Sequence, residues 1–310
     1  MELNSFFLNR LAGIIPPGHF NAVVDSFGRE SPVSVRINTL KIARENLVGA
    51  LARENVKAMP VSWCADALIL EGISVRELSA TSWVREGQLY IQGLSSMVPA
   101  LALDPRPGER VLDMCAAPGS KASQIAALMR DEGELVCLEN IRKRYYKLKS
   151  VLDLLGVGCA NVKLTDARRY RDRELFDRIL VDAPCSSEGR FKTFQPKTFA
   201  YWSPRKIKEM RRKQRGLLLH ASRLLKKDGT LIYATCTFAP EENEAVVDWL
   251  LRKTGGDLDM APVALSGIER YPALTSWEGR SFDPRVRHAV RILPTEKMEG
   301  FFVAKMVKKG

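Results

Sequence analysis

Two stretches place a cysteine where a strand should end. In "DAPCSSEGR" (182–190) a rigid Pro184 aims Cys185 outward, three residues after Asp182. In "TLIYATCTFAPEENEAV" (230–246) Cys236 stands between Thr235 and Thr237, at the tip of an apolar run. A lone cysteine at a strand end is usually a small hydrophobe. Two of them on neighbouring tips, each followed by a loop and one beside a carboxylate, suit nucleophilic chemistry instead. A third stretch, "DMCAAPGSK" (113–121), is a tight strand-to-helix turn of small residues. Small residues let backbone approach a ligand, and the following helix offers free N–H groups. Glu139 ends the next strand, 20 residues after Gly119, where a carboxylate can take both hydroxyls of a ribose. Asp166 ends the third strand, within reach of an adenine. These tips fit a nucleoside cofactor. The dinucleotide pattern G-x-G-x-x-G is absent, which disfavours a nicotinamide.

The elements that position these tips alternate strand and helix. Strands are expected at 110–115, 134–139, 161–166, 178–184 and 230–236, with helices at 120–130, 141–156, about 204–227 and 240–253. Pro240 suits a first helical turn, and Glu241, Glu242 and Glu244 suit its positive end. Such alternation means a parallel sheet covered on both faces, with ligands bound outside the C-terminal strand ends. The fourth and fifth strands are then neighbours, and Cys185 and Cys236 face one cleft. The closing "GFFVAKMVKK" reads as an antiparallel strand at the sheet edge. Residues 1–100 read differently, with two short helices (4–13 and 18–27), strands at "VSVRINT", "ALILEG" and "QLYIQG", and a helix at "ARENLVGALAREN". Arg36 and Asn38 share one strand face. The expected organisation is a small N-terminal α+β module (1–100), joined through the helix "GLSSMVPALALD" to a doubly wound α/β domain (101–310).

Composition narrows the partners. Hydrophobic residues make up 45% and charged residues 27% of the 310, a globular balance. No apolar run approaches the length of a membrane span, and "MELNSFFLNRLAGII" does not read as a signal peptide. The expectation is a cytoplasmic protein with reduced thiols and, by default, a monomer. The six cysteines form no C-x-x-C pair and the three histidines are scattered, so no metal site is expected. Net charge is +12, and all of the excess lies beyond residue 100, with 39 Lys/Arg against 27 Asp/Glu. A basic field on one half of a chain suggests an anionic polymer as partner. Residues 205–215 alone hold seven Lys/Arg, among them Arg205, Lys206, Arg211, Arg212 and Lys213, directly after Tyr201 and Trp202. "RSFDPRVRHAVR" (280–291) adds Arg285 and Arg287. Basic runs interleaved with aromatics suit single-stranded nucleic acid.

Together "VLDMCAAPGSK", "VDAPCSSEG", "YATCTFAPEENE" and "RILPTEKMEGFFVAK" resemble the Nol/Nop/Sun (Fmu/Sun-type) family of S-adenosylmethionine-dependent RNA cytosine-5 methyltransferases. "SVRINTLK" and "YIQGLSSMVPALAL" match the segments that precede the catalytic domain there, so the likeness covers about residues 30–308. Departures are small: Ser120 for a second glycine, Ala122 for a common threonine, Ser187 for a frequent glycine. The resemblance implies a Rossmann-like methyltransferase sheet and RNA (rRNA or tRNA) as substrate. It assigns the nucleophile that adds to cytosine C6 to Cys236, release of the product to Cys185, and a hydrogen bond to N3 to Asp182. Cys115, Ala116, Ala117, Pro118, Gly119, Ser120 and Lys121 would wrap the methionine end of S-adenosylmethionine. Glu139 would take the ribose, Asp166 the adenine amino group, and Asp182 would also lie against the cofactor. Arg144 would either support Glu139 or be a solvated charge.

Rivals explain less. A DNA cytosine-5 methyltransferase attacks from the Pro-Cys motif and leaves Cys236 idle. An RNA-binding assembly factor has no use for Asp182 and both thiols. A methyltransferase for small molecules or proteins leaves the thiols and the basic surface without a role.

Overall fold

The computed structural model describes residues 3–310, and the chain forms two compact units that interleave in sequence.

One unit runs from Pro32 to Leu180, with Leu265–Ile268. Four of its strands make an antiparallel sheet in the order Lys57–Val61, Cys64–Glu71, Val33–Ile37, Leu89–Ile91. Val35 and Ile37 alternate with Arg36, so one face is apolar and packs on Leu47 and Leu51 of the helix Arg44–Arg53. The other face carries Arg36 and Asn38, both buried, as the shared-face reading expects. Arg36 donates to Gln92 Oε1 at 3.0 Å and Ser123 Oγ at 2.7 Å, and Asn38 to the carbonyls of Gly87 and Leu155 at 2.7 and 2.8 Å. Burial holds the Arg36 guanidinium down to about 10. These bonds fasten the small sheet to the helices beside the parallel strands. Lys57–Val61 escaped the sequence reading because Pro60 interrupts it. As the outer strand of its sheet it tolerates a proline.

The parallel strands of this unit lie in the order Ala160–Leu164, Glu134–Glu139, Arg110–Asp113, Phe176–Asp182. In chain order that is 3-2-1-4, the doubly wound arrangement, with its switch point beside Arg110–Asp113.

The other unit holds the chain up to Ser31, Val181–Ala264 and Glu269–Gly310. Its long strand Leu225–Thr235 pairs antiparallel with Phe301–Lys308. The far side of Phe301–Lys308 pairs with Val290–Ile292 and Leu258–Ala261, so this strand is interior and not the expected edge. Its run Phe301–Met306 is apolar on both faces save Lys305, which suits an interior strand. The flanking partners have only three and four residues, too short to show a period.

The helices Ser5–Ile14 and Phe20–Ser26 also belong here. Phe7, Leu11 and Ile14, spaced for one helix face, join Val23 and Phe27 in a core with Phe191, Phe238 and Leu293. Phe191 follows the Pro-Cys motif and Phe238 the Thr-Cys-Thr motif, so the first helices brace both thiol-bearing loops.

Candidate active site

In the first unit the strand Arg110–Asp113 runs into residues 114–119 and then the helix Ser120–Leu128. Gly119 has φ +116°, and a Cβ there would meet Val151 at 2.9 Å. Glycine is therefore required for the helix Arg142–Leu154 to pack behind the turn. Ala116 N–H donates to Leu138 O at 3.1 Å, tying the turn to the next strand. Glu139 ends that strand, and its Oε1 accepts the amides of Asn140 and Ile141, both at 2.8 Å. Arg144 lies 3.1 Å from Glu139 Oε2 and donates to Ala117 O at 2.8 Å. It thus bridges the acidic tip and the small-residue turn, and it is not a freely solvated charge.

Three accepted contacts leave the Glu139 carboxylate one of its about four acceptor sites, on Oε2, so a diol held through both hydroxyls takes that site and the one that Arg144 now fills. The donor set fits a nucleoside there: free helix amides, small side chains at Ala116 and Ala117, and an oriented carboxylate. Two residues depart from the simple expectation. Lys121 turns its ammonium to Ser96 Oγ at 2.8 Å and braces the helix Leu94–Leu103. Asp166 is forked by Arg168, at 3.0 and 2.6 Å, so an adenine would share it with a guanidinium.

In the second unit the expected pair of tips meets. Ala183 N–H donates to Ala234 O at 2.9 Å, and the Sγ atoms of Cys185 and Cys236 lie 3.4 Å apart. Both cysteines and Asp182 are half-buried. The thiols are not equivalent. The hydrogen bond from Cys185, helped by the charge of Arg190, holds Cys236 below the usual thiol value. Cys185, as donor in that bond and in a desolvated place, is pushed well above it. Cys236 is the readier thiolate. Ser187 has φ +60°, which explains why glycine suits its position.

Behind the thiols lies a buried polar frame that the sequence reading missed. Glu188 accepts from Trp202 Nε1 at 2.7 Å, Thr237 Oγ1 at 2.9 Å and Phe238 N at 3.0 Å. Asn243 donates to Thr237 O and accepts from Thr235 Oγ1, bracketing Cys236. This pinning keeps 240–243 irregular, so the helix begins at Glu244 and not at Pro240. Glu242, expected at the positive end of a helix, is fully buried and accepts from Ser186 N and Gln214 Nε2. Glu244 instead pairs with buried Arg291 at 2.6 Å. The signal was present in "SSEG" and "PEENE", where acids crowd the thiol motifs.

Burial pushes the Glu242 carboxyl up to about 8. Between the ordinary carboxyl range and that value, the folded protein keeps a proton that the unfolded chain has lost. This contribution to stability is complete at acid pH and falls as pH rises, by at most about 1.4 kcal/mol per unit. Glu242→Gln should flatten the decline between about pH 5 and about pH 8 in denaturant titrations. An unchanged slope would show that Glu242 is ionised throughout.

The basic run lies on the helix Pro204–Leu224, which buries Ile207, Met210, Gln214, Leu217 and Leu218 and turns Arg205, Lys208, Arg212 and Lys213 outward. Arg211 and Lys206 are half-buried. Glu209 takes Lys213 at 2.7 Å and Lys206 at 3.5 Å, leaving most of the run unneutralised. Tyr201 is 87% exposed. Trp202 is not available for stacking on a base, because it packs edge-on to Phe7 and donates to Glu188. Arg285 forks onto Asp283, while Arg287 is exposed. Among the described residues no His/Cys/Asp/Glu cluster could hold a metal ion, and no helix is long and apolar enough to cross a membrane.

A family model described as 16S rRNA methyltransferase RsmB/F matches residues 100–307, and a RsmF/B-like ferredoxin-like domain model matches residues 4–76. A tRNA (cytosine(49)-C(5))-methyltransferase of Pyrococcus abyssi is 38% identical over 89% of this chain and 88% of its own length. Ribosomal RNA small subunit methyltransferase F of Klebsiella pneumoniae is 35% identical over 94% of this chain, which spans 61% of that protein. A solved structure of a methyltransferase homolog from Pyrococcus horikoshii superposes with a TM-score of 0.83 at 30% identity, covering 99% of this chain and 100% of that one. The fold is that of the S-adenosylmethionine-dependent methyltransferases, with a small N-terminal module.

Proposed function

The chain belongs to the RsmB/F family of methyltransferases, and from that premise we propose that it methylates C5 of a cytidine in ribosomal or transfer RNA through a covalent Cys236–C6 adduct. The observation that carries this reading is the pair of thiols 3.4 Å apart at the tips of two strands, with the charge of Arg190 favouring ionisation of Cys236. Cytosine C5 is a weak nucleophile. Addition of the Cys236 thiolate to C6 makes C5 enamine-like and able to take an electrophilic methyl. Asp182 provides the proton that N3 shares as the ring accepts electrons. After transfer a base takes the C5 proton, the electrons of that C–H bond restore the C5–C6 double bond, and Cys236 leaves C6 as a thiolate. Cys185 is the group that serves this release, once the bond to C6 has removed the Cys236 charge that held it as a thiol. S-adenosylmethionine, when bound, supplies the methyl. Residues 115–121, Glu139, Arg144, Asp166 and Asp182 are the proposed cofactor contacts. In this reading residues 1–100 help position RNA and residues 101–310 carry the chemistry.

Incubation with labelled S-adenosylmethionine and total RNA or DNA, followed by digestion, tests the assignment. Label in 5-methylcytidine is the expected result; label in DNA, or only in protein, rejects it.

Cofactor binding has its own readout. At about 100 times its dissociation constant, S-adenosylmethionine should stabilise the protein by about 2.7 kcal/mol. Glu139→Ala should remove most of this thermal shift, because two ribose hydroxyls lose a held carboxylate. No shift even at millimolar cofactor would remove the cofactor assignment.

The target base must be single-stranded or flipped out to reach a thiol. RNA affinity should therefore fall steeply with salt. Neutralising Arg211, Arg212 and Lys213 should flatten the plot of log affinity against log salt by about 0.7 per lost phosphate contact. An unchanged slope would place RNA on another surface.

A further inference from the structure

Two fully buried side chains converge on the backbone of Cys185 from behind. Gln214 Nε2 donates to Pro184 O at 2.9 Å and to Glu242 Oε2 at 2.8 Å. The Glu242 carboxyl in turn accepts Ser186 N–H, at 3.1 and 3.3 Å to its two oxygens. Pro184 O lies in the peptide plane before Cys185 and Ser186 N in the plane after it. Planar peptides leave a residue only two soft dihedrals, so holding both planes fixes φ and ψ of Cys185 and hence the direction of the Cα–Cβ bond from which its thiol projects. A carboxyl in this place is costly to bury and meets neutral donors. An apolar pair would serve stability at least as well. What an acceptor adds here is a hold on one particular amide.

We infer that Gln214 and Glu242 are positioning residues that clamp the backbone on both sides of Cys185 and aim its thiol for the release step. The inference rests on the covalent reading above and deepens it. Gln214 sits on the inner face of the helix Pro204–Leu224, whose outer face carries the basic run. One rigid element thus bears both the proposed phosphate contacts and half of the clamp.

The test separates adduct formation from adduct release in single-turnover experiments with labelled RNA, quenched and run on denaturing gels. Gln214→Met keeps the side-chain volume and removes both donors. Glu242→Met removes the acceptor, and Glu242→Gln keeps one. In both methionine variants release should slow by about 10- to 100-fold, the scale of a misplaced reacting group. Formation should change by less than about threefold, so adduct accumulates. Glu242→Gln should release at close to the wild-type rate. Equal losses in formation and release, or wild-type release in the methionine variants, would overturn the clamp. So would methionine variants that fail to fold while Glu242→Gln folds and releases normally, since the pair would then be structural. A wild-type enzyme that methylates without any adduct would instead reject the covalent reading, and it is seen before any clamp variant is made.

Discussion

Cys236→Ala is expected to lose methylation and to leave no RNA–protein adduct, whereas Cys185→Ala is expected to accumulate one that survives denaturing electrophoresis. The asymmetry follows from the two thiols. They sit 3.4 Å apart, so either is close to a base presented to the other. What separates them is charge. Cys236 is favoured as thiolate by the hydrogen bond from Cys185 and by Arg190, while Cys185 is held as thiol. Removing Cys236 takes away the bond that holds Cys185 as a thiol, but burial and the Glu242 carboxyl still disfavour its ionisation, so it does not replace the nucleophile. The loss should be roughly 10⁴-fold or more, the scale seen when covalent enzymes lose their nucleophile. Removing Cys185 leaves the attacking sulfur in place beside Arg190, though without the bond that most favours its thiolate, and blocks release, so the adduct forms more slowly and still accumulates. Methyl incorporation from labelled cofactor and a denaturing gel of the same reaction read both effects. An inverted pattern, with Cys236→Ala trapped, would make Cys185 the nucleophile. Two active variants would leave neither thiol in the mechanism.

The parts of this site legible in the sequence are those fixed by local rules. Strand ends, a glycine with positive φ and a carboxylate 20 residues beyond it follow from chain direction and backbone sterics. The meeting of Cys185 and Cys236 followed from doubly wound order alone. The illegible parts depend on burial, which local pattern does not report. Glu242 carries the signature of a helix start, but Asn243 is spent on Thr235 and Thr237, and the carboxyl turns inward. Trp202 follows Tyr201 and precedes a basic run, as a stacking platform would, yet Glu188 and Phe7 claim it. The helices Ser5–Ile14 and Phe20–Ser26 were readable as helices. That they cover Phe191 and Phe238, some 180 to 220 residues later, was not readable from spacing. Long-range partners choose among local options, and here they chose the rear wall of the site.

Asp182→Ala should also lose methylation, by about 10²- to 10⁴-fold, the usual range for a group that moves a proton in the transition state. It should do so without a trapped adduct. Asp182 ends the strand Phe176–Asp182, and its negative charge acts against ionisation of Cys236. An ionised Asp182 and a Cys236 thiolate therefore oppose each other in the free protein. When a base binds, one proton taken up from water and shared between Asp182 and N3 removes that opposition, so base binding and thiolate formation favour one another. Without the carboxyl, the ring has no proton to draw on as C6 is attacked, and any S–C6 bond reverses before the methyl moves. Asp182→Asn separates the two roles. It removes the charge, so Cys236 should lose its proton at lower pH and react faster with iodoacetamide when no RNA is present. It still lacks the proton for N3, so methylation stays low. Alkylation followed at the Cys236 peptide by mass spectrometry, beside single-turnover methylation, measures both. Methylation by either variant within about tenfold of wild type would remove Asp182 from the chemistry. Slower alkylation in Asp182→Asn would show that the carboxylate assists the thiolate instead of opposing it.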